Sequence, residues 1–216
     1  MTKPIIGILC GFEAEAMVAR KLTPHVACSG AVEALAFERA EQLVKQGATA
    51  LVSFGVAGGL DPQLTNETII IAKEIAGNDN QRWVCDAGLI TRFKTAAPHG
   101  LDGAVYGSSH LVPTPSEKKK LHATTGCVIV DMESHVVATI ATKYGLPFAV
   151  LRGVSDSVED GFPDAALSGI SPDGSTNMNA VYKSLLRNPF QIPALLKLFK
   201  HTGIALKQLD TVVTKL

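Results

Sequence analysis

Little in this chain announces a metal, a redox couple or a charged polymer as its partner. Its 216 residues hold four cysteines, Cys10, Cys28, Cys85 and Cys127, scattered along the sequence. No CxxC pair occurs, so neither a zinc knuckle nor a dithiol redox motif is supported. Three of the four lie in or beside apolar strand-like runs, as buried reduced thiols of a cytosolic protein do. An excess of charge is also missing, because Lys+Arg and Asp+Glu stand at 20 each. Without a basic cluster a nucleic-acid partner has no support, and Lys118-Lys119-Lys120 is too short a run to supply one. The apolar run from Pro4 to Cys10 is too short for a signal peptide or a membrane span, so a cytoplasmic location is expected. Gly55-Val56-Ala57-Gly58-Gly59 lacks GxGxxG spacing and no Lys-Ser/Thr follows it, which excludes a dinucleotide fingerprint and a P-loop. There is no internal repeat, low-complexity segment or linker.

What remains is an ordinary globular composition, 46% hydrophobic, in a chain long enough for one domain with a large core and short for two. Residues 1–216 therefore read as a single domain. Apolar runs alternate with helical patterns along the chain. Strands are expected at Pro4–Cys10, Val26–Cys28, Ala50–Phe54, Thr68–Ile75, Val128–Val130 and from Phe148 to near Val154. A shorter one is expected around Trp83–Cys85, with loop over the rest of 77–103, and Ala104–Tyr106 leads into Ser108-Ser109-His110. Helices are expected at about Glu13–Lys21, Ala31–Gln46 with Gly47 as its stop, Ser116–Ala123 and Ser134–Tyr144. The tail from about Asn177 reads as helical with breaks at Pro189 and Pro193. This alternation implies an α/β fold, a central mixed β-sheet flanked by helices.

Two apolar runs end in acidic residues, Val130-Asp131-Met132-Glu133 and Leu151-Arg152-Gly153-Val154-Ser155-Asp156. Carboxylates at the C-terminal ends of strands sit in the crevice where open α/β sheets bind ligands. Glu133 and Asp156 could thus converge on one small polar substrate. A plainer reading exists for each: Glu133 caps the next helix, and Asp156 opens a turn. The run Gly55-Val56-Ala57-Gly58 reads as a glycine turn. Its small residues let backbone N–H groups approach a bound sugar, water or phosphate, or serve only the turn itself. Glu13 and Glu15 fall in a first helical turn, where the dipole favours carboxylates.

Four blocks occur in one order: Ile6-Gly7-Ile8 with Glu13-Ala14-Glu15, Ser53 to Leu60, Asp131-Met132-Glu133, and Arg152 to Asp156. Together they resemble the purine nucleoside phosphorylase and methylthioadenosine/adenosylhomocysteine nucleosidase superfamily. FGVAGGLDP at Phe54–Pro62, VDMESHVV at Val130–Val137, the Pro163-to-Gly174 stretch and the tail from Asn188 to Leu196 look more narrowly like hopanoid-associated phosphorylases. In those enzymes adenine is removed from adenosylhopane. The resemblance implies that Asp156, beside Ser155, protonates or hydrogen-bonds purine N7, which requires a raised pKa. It implies that Glu133 accepts the ribose hydroxyls and that Met132 packs on the ribose. His110 and Leu111 border the base, with the imidazole standing where nucleosidases often carry an aromatic ring. Glu15 matches the residue that activates water, and Arg152 an arginine near that water.

The chain departs from that pattern at Val56, where nucleosidases often have Ser or Thr, and in a shortened segment between Lys21 and Ala31. No basic residue appears from Cys10 until Arg20, where phosphorylases usually hold phosphate. Charge therefore favours water as nucleophile, with phosphate as the alternative co-substrate; no metal and no organic cofactor is expected. The tail is apolar at Phe190, Ile192, Leu195, Leu196, Leu198, Phe199, Ile204, Leu206 and Leu209, with Lys197, Lys200 and Lys207 interleaved. It reads either as a helix packed on the sheet or as an interfacial helix touching the inner membrane. The family implies a homodimer or larger. The rival readings are a methylthioadenosine/adenosylhomocysteine nucleosidase acting on a soluble substrate and a non-catalytic adenosine- or lipid-nucleoside-binding protein, the latter with no need of Glu15 or of an acid at Asp156.

Overall fold

The computed structural model describes residues 4–169 and 177–216. Eight strands run β1 Ile6–Cys10, β2 Val26–Cys28, β3 Ala50–Gly59, β4 Ile69–Ala76, β5 Arg82–Val84, β6 Leu101–Gly107, β7 Ile129–Asp131 and β8 Phe148–Asp156. Between and after them lie α1 Glu13–Ala19, α2 Glu33–Lys45, α3 Ala87–Ala96, α4 Pro115–Thr125, α5 Ser134–Tyr144, α6 Asp164–Ser168, α7 Met178–Arg187 and α8 Ile192–Val213. The order β2-β1-β3-β7-β6-β4-β5 forms one sheet, and β8 pairs with both β3 and β4. Strands β3, β7, β6, β4 and β8 thereby close into a ring. Pairing is mixed: β3 is parallel to β8 and antiparallel to β7, whereas β4 is parallel to β6 and antiparallel to β8. The expected class, α/β with a mixed sheet between helices, is the observed one.

Helices cover the sheet from two sides. Ala36, Ala40 and Leu43 of α2 and Val136, Val137 and Ile140 of α5 enter one apolar cluster. Ala16 and Ala19 of α1, Leu89 and Phe93 of α3, and Leu209, Val212 and Val213 of α8 enter the other. Both clusters are aliphatic, with few rings, in keeping with the 6% aromatic content.

Three local expectations change. The glycine run is not a turn: β3 continues to Gly59. It follows β8 from Leu51 to Ala57, shifts register between Ala57 and Gly58, then pairs with β7 through Gly58 and Gly59. A side chain at Gly59 would lie 2.8 Å from the Asp156 carbonyl oxygen, so this crossing of strands requires small residues. Secondly, the stretch expected as loop contains α3, whose N-cap Asp86 accepts a 2.9 Å bond from Leu89 N; Leu89, Phe93 and Ala96 supply its buried stripe. Thirdly, Pro193 does not break the tail. It occupies the first turn of α8, where its missing N–H costs nothing.

The tail packs on the sheet along one face, as the first of its two expected readings has it, and leaves apolar side chains exposed elsewhere. Leu195, Ala205, Leu209, Val212 and Val213 are buried, and Ala205 packs on Gly153 of β8. Phe190, Leu196 and Phe199 stay exposed, as do Met178, Tyr182 and Leu186 of α7. Of the Pro163-to-Gly174 stretch, residues 163–169 carry α6, and the remainder lies outside the described residues. No helix among the described residues is long and apolar enough to cross a membrane. Cys10, Cys85 and Cys127 are buried and free, and Cys28 is free and half-buried.

Candidate active site

Strand ends and helix starts converge on a cleft of about 730 Å³, counting the open space at its mouth. Its walls come from the β1–α1 corner, the end of β3, the segment after β6, the start of α5, and the end of β8. Glu15, Val56, Ala57, Gly58, His110, Leu111, Asp131, Met132, Glu133, Ser155 and Asp156 all line it. Residues far apart in the chain meet there because the strand ring, with β1 paired alongside β3, brings these strand ends to one rim.

One side of the cleft is a buried charge cluster. Glu15, in the first turn of α1, points inward rather than to solvent. Its Oε2 accepts from Gly11 N at 2.8 Å and Phe12 N at 2.9 Å, and its Oε1 from Val56 N at 2.7 Å. The Phe12 bond ties the carboxylate of the third helical residue back to the N-cap N–H, although Phe12 offers no side-chain acceptor in return, so the helix start itself orients the carboxylate. Burial pushes its pKa up to about 7, against the pull of Arg152, with the Glu133 charge adding to the rise. Glu133 receives Ser29 Oγ at 3.0 Å and an Arg152 terminal nitrogen at 3.0 Å. Burial raises its pKa as well, opposed by Arg152 and aided by Asp131.

Arg152 binds this cluster from behind. Its Nε lies 2.7 Å from Asp131 Oδ2 in an ion pair without hydrogen-bond alignment. Its terminal nitrogens donate to Ser53 Oγ at 2.6 Å, Glu133 Oε2 at 3.0 Å and the Val56 carbonyl at 3.2 Å. Burial works against the guanidinium charge, but Asp131, Glu133 and Glu15 together outweigh it and raise its pKa. Three carboxylates thus surround one cation, and Arg152 stands outside the cleft wall.

The other side is built on Asp156 at the end of β8. Ser155 Oγ donates to Asp156 Oδ1 at 2.7 Å. Asp156 Oδ2 accepts from Lys118 Nζ, a fully buried lysine of α4. His110 is exposed at the rim, where Ser108 Oγ holds its backbone by donating to His110 O at 2.6 Å. Met132 and Leu111 are half-buried and Phe162 adds an apolar wall.

Several expected residues sit differently from the reading of the sequence. Arg152 does not reach the cleft, because carboxylates of Asp131 and Glu133 intercept it. Asp131 borders the cleft, but its carboxylate is turned to Arg152 and to the start of α5, where Ser134 N donates to Oδ1 at 3.0 Å and Ser134 Oγ to Oδ2. Gly55 is likewise absent from the wall; with φ of +147° it lies directly behind the Glu15 carboxylate, where any Cβ would collide. Lys118, Ser29 and Ser53 were not anticipated. For Lys118 a signal existed: it lies three residues before Leu121, which packs toward the core, while Lys119 and Lys120 turn outward.

Residues 17–187 match the sequence pattern described as the Phosphorylase superfamily. The chain belongs to this family. It is accordingly an enzyme of the phosphorylase superfamily. Two curated relatives are DeoD-type purine nucleoside phosphorylases. That of Exiguobacterium sibiricum is 24% identical over 71% of this chain and 69% of its own length. That of Clostridium beijerinckii is 28% identical over 54% and 55%, so the match spans about half of that relative. Among solved structures, S-adenosylhomocysteine nucleosidase from Streptococcus pyogenes superposes with a TM-score of 0.71 at 17% identity, covering 100% of this chain and 98% of that one. The Neisseria meningitidis 5′-methylthioadenosine/S-adenosylhomocysteine nucleosidase gives 0.69 at 18% identity, over 98% and 99%. Futalosine hydrolase of Helicobacter pylori gives 0.68 at 18% identity, over 98% and 97%. At these identities the structures share the fold.

Proposed function

We propose that this enzyme cleaves the bond between ribose C1′ and N9 of an adenine nucleoside, with water as nucleophile, and that adenosylhopane is its substrate. The observation that carries the reading is a division of labour in one cleft. Glu15 is a buried carboxylate with a pKa near neutrality, suited to take a proton from water. Asp156 is a second carboxyl at the far strand end, suited to meet the purine N7. Bond breaking builds positive charge on the sugar and negative charge on the base. Glu133 accepts the ribose hydroxyls and adds negative field beside the oxocarbenium-like sugar. Met132 packs on the ribose, and His110 with Leu111 borders the base. Arg152 acts as a positioning residue that holds Glu133.

Water is favoured over phosphate by the charge of the walls. A phosphate dianion beside Glu15 and Glu133 needs uncommitted cations. Lys118, the cation on the described wall, is held by Asp156, and Arg152 behind it is held by Asp131 and Glu133. The phosphorylase names of the curated relatives make phosphate the second arm of the test. Purified protein is incubated with adenosylhopane or with 5′-methylthioadenosine, with and without phosphate, and adenine and sugar products are followed. Turnover without phosphate and a free reducing sugar are expected. Ribose 1-phosphate as main product would replace water by phosphate, and preference for 5′-methylthioadenosine would replace the lipid substrate.

The lipid substrate is supported by an exposed apolar lip. Phe190 is 90% exposed, Leu186 65% and Leu196 63%. The lip is tied to the segment after β8, which carries the cleft residue Phe162, by Lys197 Nζ on Asp160 Oδ1 at 2.5 Å and by Ala165 N on Gln191 Oε1 at 2.8 Å. From residue 177 to 209 the chain has no acidic residue, but carries Lys183, Arg187, Lys197, Lys200 and Lys207. Apolar side chains among lysines suit a peripheral contact with an anionic bilayer, from which a lipid nucleoside could enter. The protein then works in the cytoplasm at the inner-membrane face.

A further inference from the structure

Lys118 is 1% exposed, and its ammonium has an acceptor for each of its three N–H groups. Nζ donates to Asp156 Oδ2, to the Ser157 carbonyl at 3.0 Å and to the Asp160 carbonyl at 2.9 Å. A buried ammonium is costly unless fully partnered. This one is partnered on the residue that must hold a proton if it is to serve as the acid. A salt bridge alone works against that duty, because a neighbouring cation favours the ionised carboxylate. The other oxygen of Asp156 receives Ser155 Oγ. The remaining charged groups nearby are paired elsewhere, Glu159 with Lys119 and Asp160 with Lys197.

We infer that Lys118 is the proton source for Asp156, an inference that rests on the nucleosidase reading above. The ion pair is already out of bulk water, with Lys118 and Asp156 both buried, and a purine filling the cleft brings N7 to the carboxylate as a competing proton acceptor. Moving one proton from Nζ to Oδ2 leaves a neutral amine and a neutral carboxylic acid with no change in total charge. As the C1′–N9 bond breaks, its electron pair goes to N9 and the purine ring, and the Asp156 proton passes to N7. Water forms the new O–C1′ bond and gives its proton to Glu15. Opening of the cleft lets Lys118 regain a proton from solvent and Glu15 lose one, which restores the starting state. Lys118 never touches the reacting atoms and acts through Asp156.

Two substitutions separate proton delivery from charge and from folding. Arginine keeps the charge and the hydrogen bonds but does not give up a proton in proteins; Lys118→Met removes both. Each variant is assayed on 5′-methylthioadenosine, whose adenine needs a proton, and on 4-nitrophenyl riboside, whose phenolate departs without one. Both variants should lose about 10²-fold or more on 5′-methylthioadenosine, the usual scale of general-acid help. Their loss on 4-nitrophenyl riboside should be at least about tenfold smaller, as follows when only acid assistance is removed. Near-wild-type adenine release by Lys118→Arg would overturn the inference in favour of a purely electrostatic role. Equal losses on both substrates would reduce Lys118 to a structural tie, and if Lys118→Met does not fold, the arginine variant alone decides. Wild-type protein that releases adenine from no nucleoside would instead overturn the function on which the inference rests.

Discussion

At the scale of single residues, the site runs on carboxyls whose environments differ. Glu15 has a folded pKa of about 7, above the ordinary carboxylate value of about 4.3. A raised carboxylate pKa means that the folded state resists ionisation. Stability linked to Glu15 is intact below the ordinary value and is lost as pH rises toward 7. Activity runs the opposite way, because the base must be ionised, so kcat/KM should rise through pH 7. Thermal unfolding of Glu15→Gln across pH 4 to 8 should lack this linked loss; an unchanged pH slope would remove Glu15 as its origin. Asp156 is tested by Asp156→Asn, which keeps the shape and removes the proton. Adenine release should fall by about 10²–10⁴-fold with nucleoside binding retained in calorimetric titration. Near-wild-type turnover would take Asp156 out of the chemistry.

At the scale of elements, two features explain how ordinary strands and helices make this site. The first is β3, which leaves β8 and joins β7 within ten residues. Gly55 sits on it with a φ of +147° that L residues rarely adopt, against the Glu15 carboxylate. Gly55→Ala should therefore cost roughly 1–3 kcal/mol and displace Glu15, read as a lower unfolding temperature together with a lower kcat. Loss of stability without loss of kcat would separate β3 geometry from catalysis. The second is the amphipathic pair α7 and α8. Replacing Leu186 and Phe190 with Asp should abolish co-flotation with phosphatidylglycerol vesicles and leave 5′-methylthioadenosine turnover unchanged. Undiminished flotation would remove the lip as the membrane contact, and a dimer of the wild type broken by these changes would identify a second copy as its occupant.

At the scale of the whole molecule, Arg152 fastens the ring. It lies on β8 and reaches Ser53 and Val56 on β3, Asp131 on β7 and Glu133 at the start of α5. Arg152→Met should leave these carboxylates buried without their cation, a loss of about 3–5 kcal/mol. In a chain of this size that lowers the unfolding midpoint by roughly 6–20 °C. The deficit should shrink at acid pH, where the carboxyls take up protons. A pH-independent deficit would mean that packing rather than charge makes Arg152 necessary.

The sequence by itself determined the alternation of strands and helices, because apolar periodicity and caps act within a few residues. Ser134–Tyr144 and Val26–Cys28 were legible to their ends for that reason. It also carried the acidic blocks around Glu15, Glu133 and Asp156, since adjacent residues preserve their order whatever the fold does. Only tertiary structure decided what depends on distant partners. The glycine run reads as a turn locally and is a strand because β7 and β8 pair with it. Arg152 reads as a cleft residue and is withdrawn from it because Asp131 and Glu133 hold it. Lys118 reads as one of three surface lysines, and only the approach of α4 to the end of β8 buries it against Asp156. The spacing of Lys118 from Leu121 marks an inward face, but pairing across 38 residues of chain leaves no local trace of the partner, so the ammonium on the proposed acid is set by tertiary structure.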